Sequence, residues 1–257
     1  MFSKSQKKKL NKILTLAGGL IVVLMLVVFI LEKVKYRKAK FTHYPQFGIN
    51  IPEGYSIHGI DVSKYQSLIA WEEVKAMRIR NINPGFAFIK ATEGIGNSDP
   101  QFNRNWKRSK DAGVTRGAYH FFIGSKDGKM QAENFIDKVK LEAGDFPPVL
   151  DIEQLNGASI NDLKKEAKRW LDVVEEYYNV RPIIYTNVDF YNRNLGADFD
   201  KYPLWVAHYY QPEQPRISRD WFFWQHSDKG SVNGITTPVD FNVFNGDSLS
   251  FKNLLVK

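Results

Sequence analysis

Phe146-Pro147-Pro148-Val149-Leu150-Asp151-Ile152-Glu153 enters through two prolines, continues as a short aliphatic run and ends in two carboxylic acids. It reads as a buried strand. Side chains along a strand alternate faces, so Asp151 and Glu153 share one face and Ile152 takes the other. Two acids on one face of a buried strand repel, and each raises the free energy of ionising the other. That is a poor way to build a core. It is a good way to build an acid and an anionic partner for cleaving a glycosidic bond. The plain alternative is a strand running out into solvent, its end wetted by acids.

The sequence on either side favours the first reading. Apolar, strand-like runs at 57–62, 85–91, 115–122, 147–153, 182–187, 204–209, 221–227 and 239–244 alternate with helical patterns. The clearest helix follows the acidic strand. Ser159 can cap it, with Asp162 three residues on, and Leu163, Ala167, Trp170, Leu171 and Val174 form one apolar face. A second runs from about 129 to 141, with Ala132, Phe135, Ile136 and Val139 inward. Alternating strands and helices imply an α/β fold with a mainly parallel sheet, and about eight strands point to a barrel. The last strands have short connections, so the barrel is expected to be irregular there. In a parallel barrel the active site sits at the carboxyl ends of the strands. Those ends carry Asp61; Lys90, Thr92 and Glu93; Tyr119 and His120; Asp151 and Glu153; Tyr185 and Asn187; Trp205, His208 and Tyr209; Trp224, Gln225 and His226; Asp240 and Asn242. One polar strand end means little, but the succession suggests a shared mouth. Each member also has a structural reading. Asp61 could cap a turn, Lys90 could simply pair with an acid, His120 could be a satisfied core histidine, and both tryptophans could be core.

Composition narrows the class. The formal charge of +8 belongs to the N-terminus: residues 1–40 hold ten Lys and Arg against Glu32, about +9, which leaves about −1 for the remainder. A folded domain of that charge gives no basis for nucleic-acid binding. There is no cysteine, which excludes disulfides and thiolate chemistry, and the histidines lack metal-binding spacing; no metal or cofactor is expected. Ile13 to Leu31 carries no charge and would span about 28 Å as a helix, close to the thickness of a bilayer's hydrocarbon core. Glu32-Lys33-Val34-Lys35 follows it where a signal peptide would offer small residues for cleavage, so an uncleaved signal anchor is expected. The expected organisation is a basic segment at 1–12, a transmembrane anchor at 13–31, a juxtamembrane stalk at 32–56 and a catalytic domain at 57–250. Basic residues flank both ends of the apolar run, so charge does not orient it. The expected topology is a single pass with the domain outside the cytoplasm.

GIDVSKYQ, FAFIKATEG, AGVTRGAYHFF, FPPVLDIE, RPIIYTN, LWVAHY, FFWQHSDKGSVNGI and VDFNVFNG stand in that order from about 57 to 247. In this set and spacing the chain resembles the glycoside hydrolase family 25 lysozymes, which cleave peptidoglycan after N-acetylmuramic acid. The resemblance implies an irregular, flattened β/α barrel. It implies Glu153 as proton donor, Asp61, Asp151 and Asp240 as the other acids, and Tyr119, Tyr185, Trp205 and Trp224 lining the sugar groove. Lys64-Tyr65 departs from the family's usual pair at the groove edge. The attacking group is left open between Asp240, Asp151 and the substrate's own acetamido oxygen. All of these routes retain anomeric configuration. The partner would be the peptidoglycan glycan strand, the membrane would be met through residues 13–31, and a monomer is expected. The D-x-x-D-x-D-x-E pattern of chitinases is absent, because Phe146 and Val149 occupy its outer aspartate positions. A membrane-tethered peptidoglycan-binding module without turnover is the alternative from another class.

Overall fold

The computed structural model describes residues 4–35, 40–209, 211 and 214–257. A helix at Lys4–Lys35 precedes the folded domain. The domain's strands are β1 (Phe41–Tyr44), β2 (Ile49–Pro52), β3 (His58–Val62), β4 (Pro84–Glu93), β5 (Asn97–Ser98) and β6 (Thr115–Phe121), followed by β7 (Val149–Asp151), β8 (Ile183–Asn187), β9 (Leu204–Ala207), β10 (Phe223–Gly230) and β11 (Val239–Phe244). Eight of them close into a barrel in the order β3-β4-β6-β7-β8-β9-β10-β11, with β11 pairing back onto β3. Neighbours from β3 to β10 run parallel. β11 runs antiparallel to both β10 and β3. Each barrel strand overlaps one of the apolar runs expected from sequence.

The helix Ile160–Tyr178 starts where its capping signal predicts. The Ser159 hydroxyl accepts the Asp162 N–H at 3.1 Å, and Leu163, Ala167, Trp170, Leu171 and Val174 are buried. Asn179 ends it at φ 52°, the left-handed position that asparagine tolerates. Between β8 and β9 the chain makes only short turns of helix, Val188–Phe190, Tyr191–Leu195 and Gly196–Phe199, as the weak patterning there suggests.

The stalk expected at 32–56 is corrected over its second half. β1 and β2 form an antiparallel hairpin that belongs to the domain. Phe47, Ile49 and Ile51 are buried, the Phe47 ring packs 5.1 Å from Phe241, and Ser231 N–H donates to the Phe47 carbonyl at 2.9 Å. Alternate apolar residues give the hairpin one greasy face, and β10 and β11 cover it. The domain also continues past 250: Phe251, on the helix Ser248–Leu254, packs 5.2 Å from Phe146 and 5.2 Å from Phe244.

Inside the barrel the strand residues stack in layers. Phe86, Phe88, Phe146, Phe223 and Phe244 fill the lower part with Val149, Ile183 and Trp205. This crowding requires glycine on the neighbouring strands. A Cβ at Gly59 would lie 2.4 Å from the Phe86 ring, and one at Gly117 would lie 2.6 Å from the Phe88 ring. One step further along most of the strands the inward positions turn polar, and the barrel opens into a cleft.

Candidate active site

The cleft holds about 280 Å³, and Asp61, Lys90, Tyr119, Asp151, Glu153, Tyr185, Trp205, Tyr209, Gln225 and Asp240 are among its lining residues. The acids come from separate strands and meet because register brings them level. Asp240 lies directly opposite Asp61 across the β11–β3 pair. Asp151 lies opposite Tyr185 across β7–β8, and Glu153 continues the same face just beyond β7.

Asp61 is the most firmly held of the acids. Its Oδ2 accepts from Gln225 Nε2 and from Asn242 Nδ2, each at 2.7 Å. Both amides are themselves fixed. Gln225 Oε1 accepts from the Tyr185 hydroxyl at 2.7 Å and from the Tyr209 hydroxyl, and Asn242 Oδ1 accepts the Trp205 indole N–H at 2.7 Å. An indole N–H can only donate, so Asn242 must turn its NH₂ toward Asp61 or lose this bond. Burial raises the Asp61 pKa to about 6, with the two amide bonds pulling against the rise. At neutral pH Asp61 is therefore ionised.

The others are held differently. Asp151 has one buried oxygen, Oδ1, without a hydrogen-bond partner. Burial and then the charge of Glu153 push its pKa well up. Asp240 is raised to about 9, first by burial and then by Asp61. Glu153 is half-buried, and burial raises its pKa while Lys90 opposes the rise. Lys90 sits beside these acids and pairs with Glu93 at 2.6 Å. The sequence suggested that mutual repulsion would keep Glu153 protonated; the cause that raises its pKa is desolvation. Four carboxyls in a space this small cannot all ionise, and the cleft keeps protons at neutral pH.

A family model described as Glycosyl hydrolases family 25 matches residues 60–235. The chain belongs to glycosyl hydrolase family 25. It is a glycoside hydrolase. YegX of Escherichia coli (strain K12) is 50% identical over 200 residues, covering 78% of this chain and 74% of that protein. Lysozyme M1 of Streptomyces globisporus is 36% identical over 207 residues, covering 75% and 69%. The solved structure of a family 25 glycosyl hydrolase from Bacillus anthracis superposes with a TM-score of 0.74 at 31% identity, covering 84% of this chain and all (100%) of that one.

Against this family 25 frame, the residues singled out in the sequence divide. Asp61, Asp151, Glu153 and Asp240 converge, and Tyr119, Tyr185 and Trp205 line the same cleft. Trp205 is a floor residue rather than an open platform: it is 2% exposed and stacks on Phe88 at 4.3 Å. Trp224 is a correction. It is wholly buried outside the barrel against Phe41, Tyr55 and Trp221, and its indole N–H donates to the His208 carbonyl at 2.9 Å. Strand parity explains it, since Gln225 faces inward and its neighbours on β10 must face out. Gln225 and Asn242, named in the sequence only as polar strand ends, lie opposite each other across β10–β11. His120 is structural, with Nδ1 2.7 Å from the Thr92 hydroxyl and its ring stacked on Trp170. Tyr65, noted in the sequence only as part of a departure at the groove edge, is 73% exposed at the cleft's edge and offers an open aromatic face.

Proposed function

We propose that the protein is a muramidase of the lysozyme type, cleaving the β-1,4 bond between N-acetylmuramic acid and N-acetylglucosamine in peptidoglycan. The observation that carries this reading is the meeting of Glu153 with Asp61, Asp151 and Asp240 in one cleft at the carboxyl mouth of the barrel. Similarity to Lysozyme M1 supports the substrate class.

In this mechanism Glu153, its pKa raised by burial, gives its proton to the glycosidic oxygen as the C1–O bond breaks. Asp61, ionised and clamped by two amides, supplies fixed negative charge to the developing oxocarbenium ion. Asp240, protonated at neutral pH, is a weak nucleophile. Asp151, its pKa pushed well up by burial, is disfavoured in the same way, and the attacking group in this reading is the sugar's own 2-acetamido oxygen, which bonds to C1 from the opposite face. Asp151 fits the task of holding that acetamide, since its unpartnered Oδ1 can accept the amide N–H. Water then attacks C1 as the bond from C1 to the acetamido oxygen breaks and the acetamide is restored, Glu153 takes the water's proton, and two inversions give net retention.

Glu153→Gln removes the proton donor and keeps the shape. Release of muropeptides by the full-length variant should fall about 10²–10⁴-fold with its melting temperature kept. Mass spectrometry of the wild-type products should find new reducing ends on muramic acid. Reducing ends on glucosamine, or near-normal turnover by the folded variant, would overturn the reading.

The apolar segment Asn11–Phe29 within the N-terminal helix is long enough to cross a bilayer, and none of it is buried in the fold. The proposed substrate lies outside the cytoplasm, which supports a single-pass anchor that holds the catalytic domain, read as a monomer, on the extracytoplasmic side. Carbonate-resistant membrane association, lost when residues 1–35 are deleted, checks the anchor.

A further inference from the structure

The cleft over the acids holds about 280 Å³, just below the roughly 300–1,000 Å³ of pockets that enclose one small ligand. A glycan strand of several sugars must therefore run over its rim. On that rim, Tyr65 is the most exposed large hydrophobic side chain among the described residues. Leu68, Ile95, Met130, Ile160, Tyr177 and Leu249 are the other such side chains of the folded domain, and none of these six lines the cleft. Isolated exposed hydrophobic residues are common and mean nothing by themselves. Tyr65 differs in lining the catalytic cleft and in standing on a backbone that is pinned from both sides.

The turn Lys64–Gln66 that carries it leaves β3 directly. Lys64 N–H donates to Asp99 Oδ2 at 2.7 Å, just past β5, and Tyr65 N–H donates to Ser63 Oγ at 3.3 Å. Gln66 Oε1 accepts the Ser63 N–H at 2.9 Å, while its Nε2 donates to the Pro238 carbonyl at 3.0 Å, at the foot of β11. Ser67 closes the turn at φ 54°, a left-handed conformation that costs a serine energy. Lys64 Nζ lies over one face of the Tyr65 ring, 5.5 Å from its centroid. A ring so open to water buries little area and adds little to stability. What the turn achieves is an aromatic face fixed in advance beside the acids.

The proposed mechanism says which sugar meets it. β3 and β7 are three places apart in the ring of eight strands, so Asp61 and Glu153 stand on nearly opposite walls. Glu153 protonates the oxygen that leaves C1, and Asp61 faces the charge that develops on the same sugar ring. The muramic acid thus turns C1 toward β7 and O4 toward β3. Tyr65 follows Asp61 by four residues on the β3 side and lies beyond O4, where the preceding N-acetylglucosamine is attached. That sugar's C–H face is apolar and matches an aromatic ring.

We propose that Tyr65 is the stacking platform for the N-acetylglucosamine on the non-reducing side of the muramic acid being cleaved, and that it sets a preference for muramic acids preceded by a sugar over terminal ones. The proposal rests on the muramidase reading and adds a specificity determinant to it.

The test uses the full-length protein and two peptide-free oligosaccharides that differ by one sugar. One is the tetrasaccharide with N-acetylglucosamine at its non-reducing end, and the other is the trisaccharide that starts at the muramic acid. Wild-type protein should show the lower KM on the tetrasaccharide. Tyr65→Ala should raise that KM about tenfold with kcat held, and change KM on the trisaccharide less than about twofold. Tyr65→Phe should keep the wild-type values, because the ring binds and the hydroxyl does not. Leu68→Ala, exposed but outside the cleft, should change neither. Equal losses on both substrates would put the Tyr65 contact elsewhere on the strand and overturn the proposal. So would no change on either, or a loss in Leu68→Ala or Tyr65→Phe as large as in Tyr65→Ala. Failure of the muramidase reading shows separately, as wild-type protein releasing no new muramic-acid reducing ends from either substrate.

Discussion

Phe88 and Lys90 stand two residues apart on β4 and point into the same barrel, yet their surroundings differ sharply. Phe88 is fully buried against Phe146 and Phe223, with ring centroids 5.1 Å away in both cases, and against Trp205. Lys90 faces Asp151 and Glu153 across a wet cleft. The floor of the barrel is an aromatic plug in which every group has a neighbour of its own kind. The mouth is a cluster of acids that raise one another's pKa and leave Asp151 Oδ1 unpaired. The same strands thus carry stability at one end and stored electrostatic stress at the other. The difference teaches that the mouth's chemistry depends on a floor rigid enough to hold like charges together.

The floor should respond to volume and the mouth to charge. Phe88→Ala leaves a cavity in the plug and should lower stability by about 3–5 kcal/mol, measured by denaturant unfolding. Gly117→Ala forces a methyl against the Phe88 ring and should destabilise by about 1–3 kcal/mol. A tolerated methyl there would show that the floor is loose and is not what holds the acids together. Asp240→Asn should act with the opposite sign. Folded Asp240 keeps its proton to about 9 whereas an unfolded aspartate loses it near 3.8, so stability falls as pH rises across that window and is flat beyond it. The asparagine variant should show a shallower decline in melting temperature between about pH 4 and 9. Smallest is Lys90→Met. Lys90 lowers the pKa of Glu153 and of Asp151, so its removal should move the alkaline limb of the pH–rate profile upward. The acidic limb, set by Asp61 losing its charge near pH 6, should stay. A downward move of the alkaline limb would break the assignment of Glu153 as the acid.

The sequence by itself determined the barrel and its acids. Strand periodicity and β/α alternation are local properties, and the parity that puts Asp151 and Glu153 on one face is fixed by the pleat. The Ser159 cap and the apolar face of its helix are local in the same way. Tertiary structure decided what depends on which segments meet. The hairpin at 41–52 looked like a stalk because its greasy face has no partner within its own stretch; β10 and β11 supply one. Trp224 and Gln225 are adjacent, and only barrel closure says which of them faces the cleft. The protonation of the acids was likewise undecided, because desolvation is a property of the assembled mouth and of no residue taken alone.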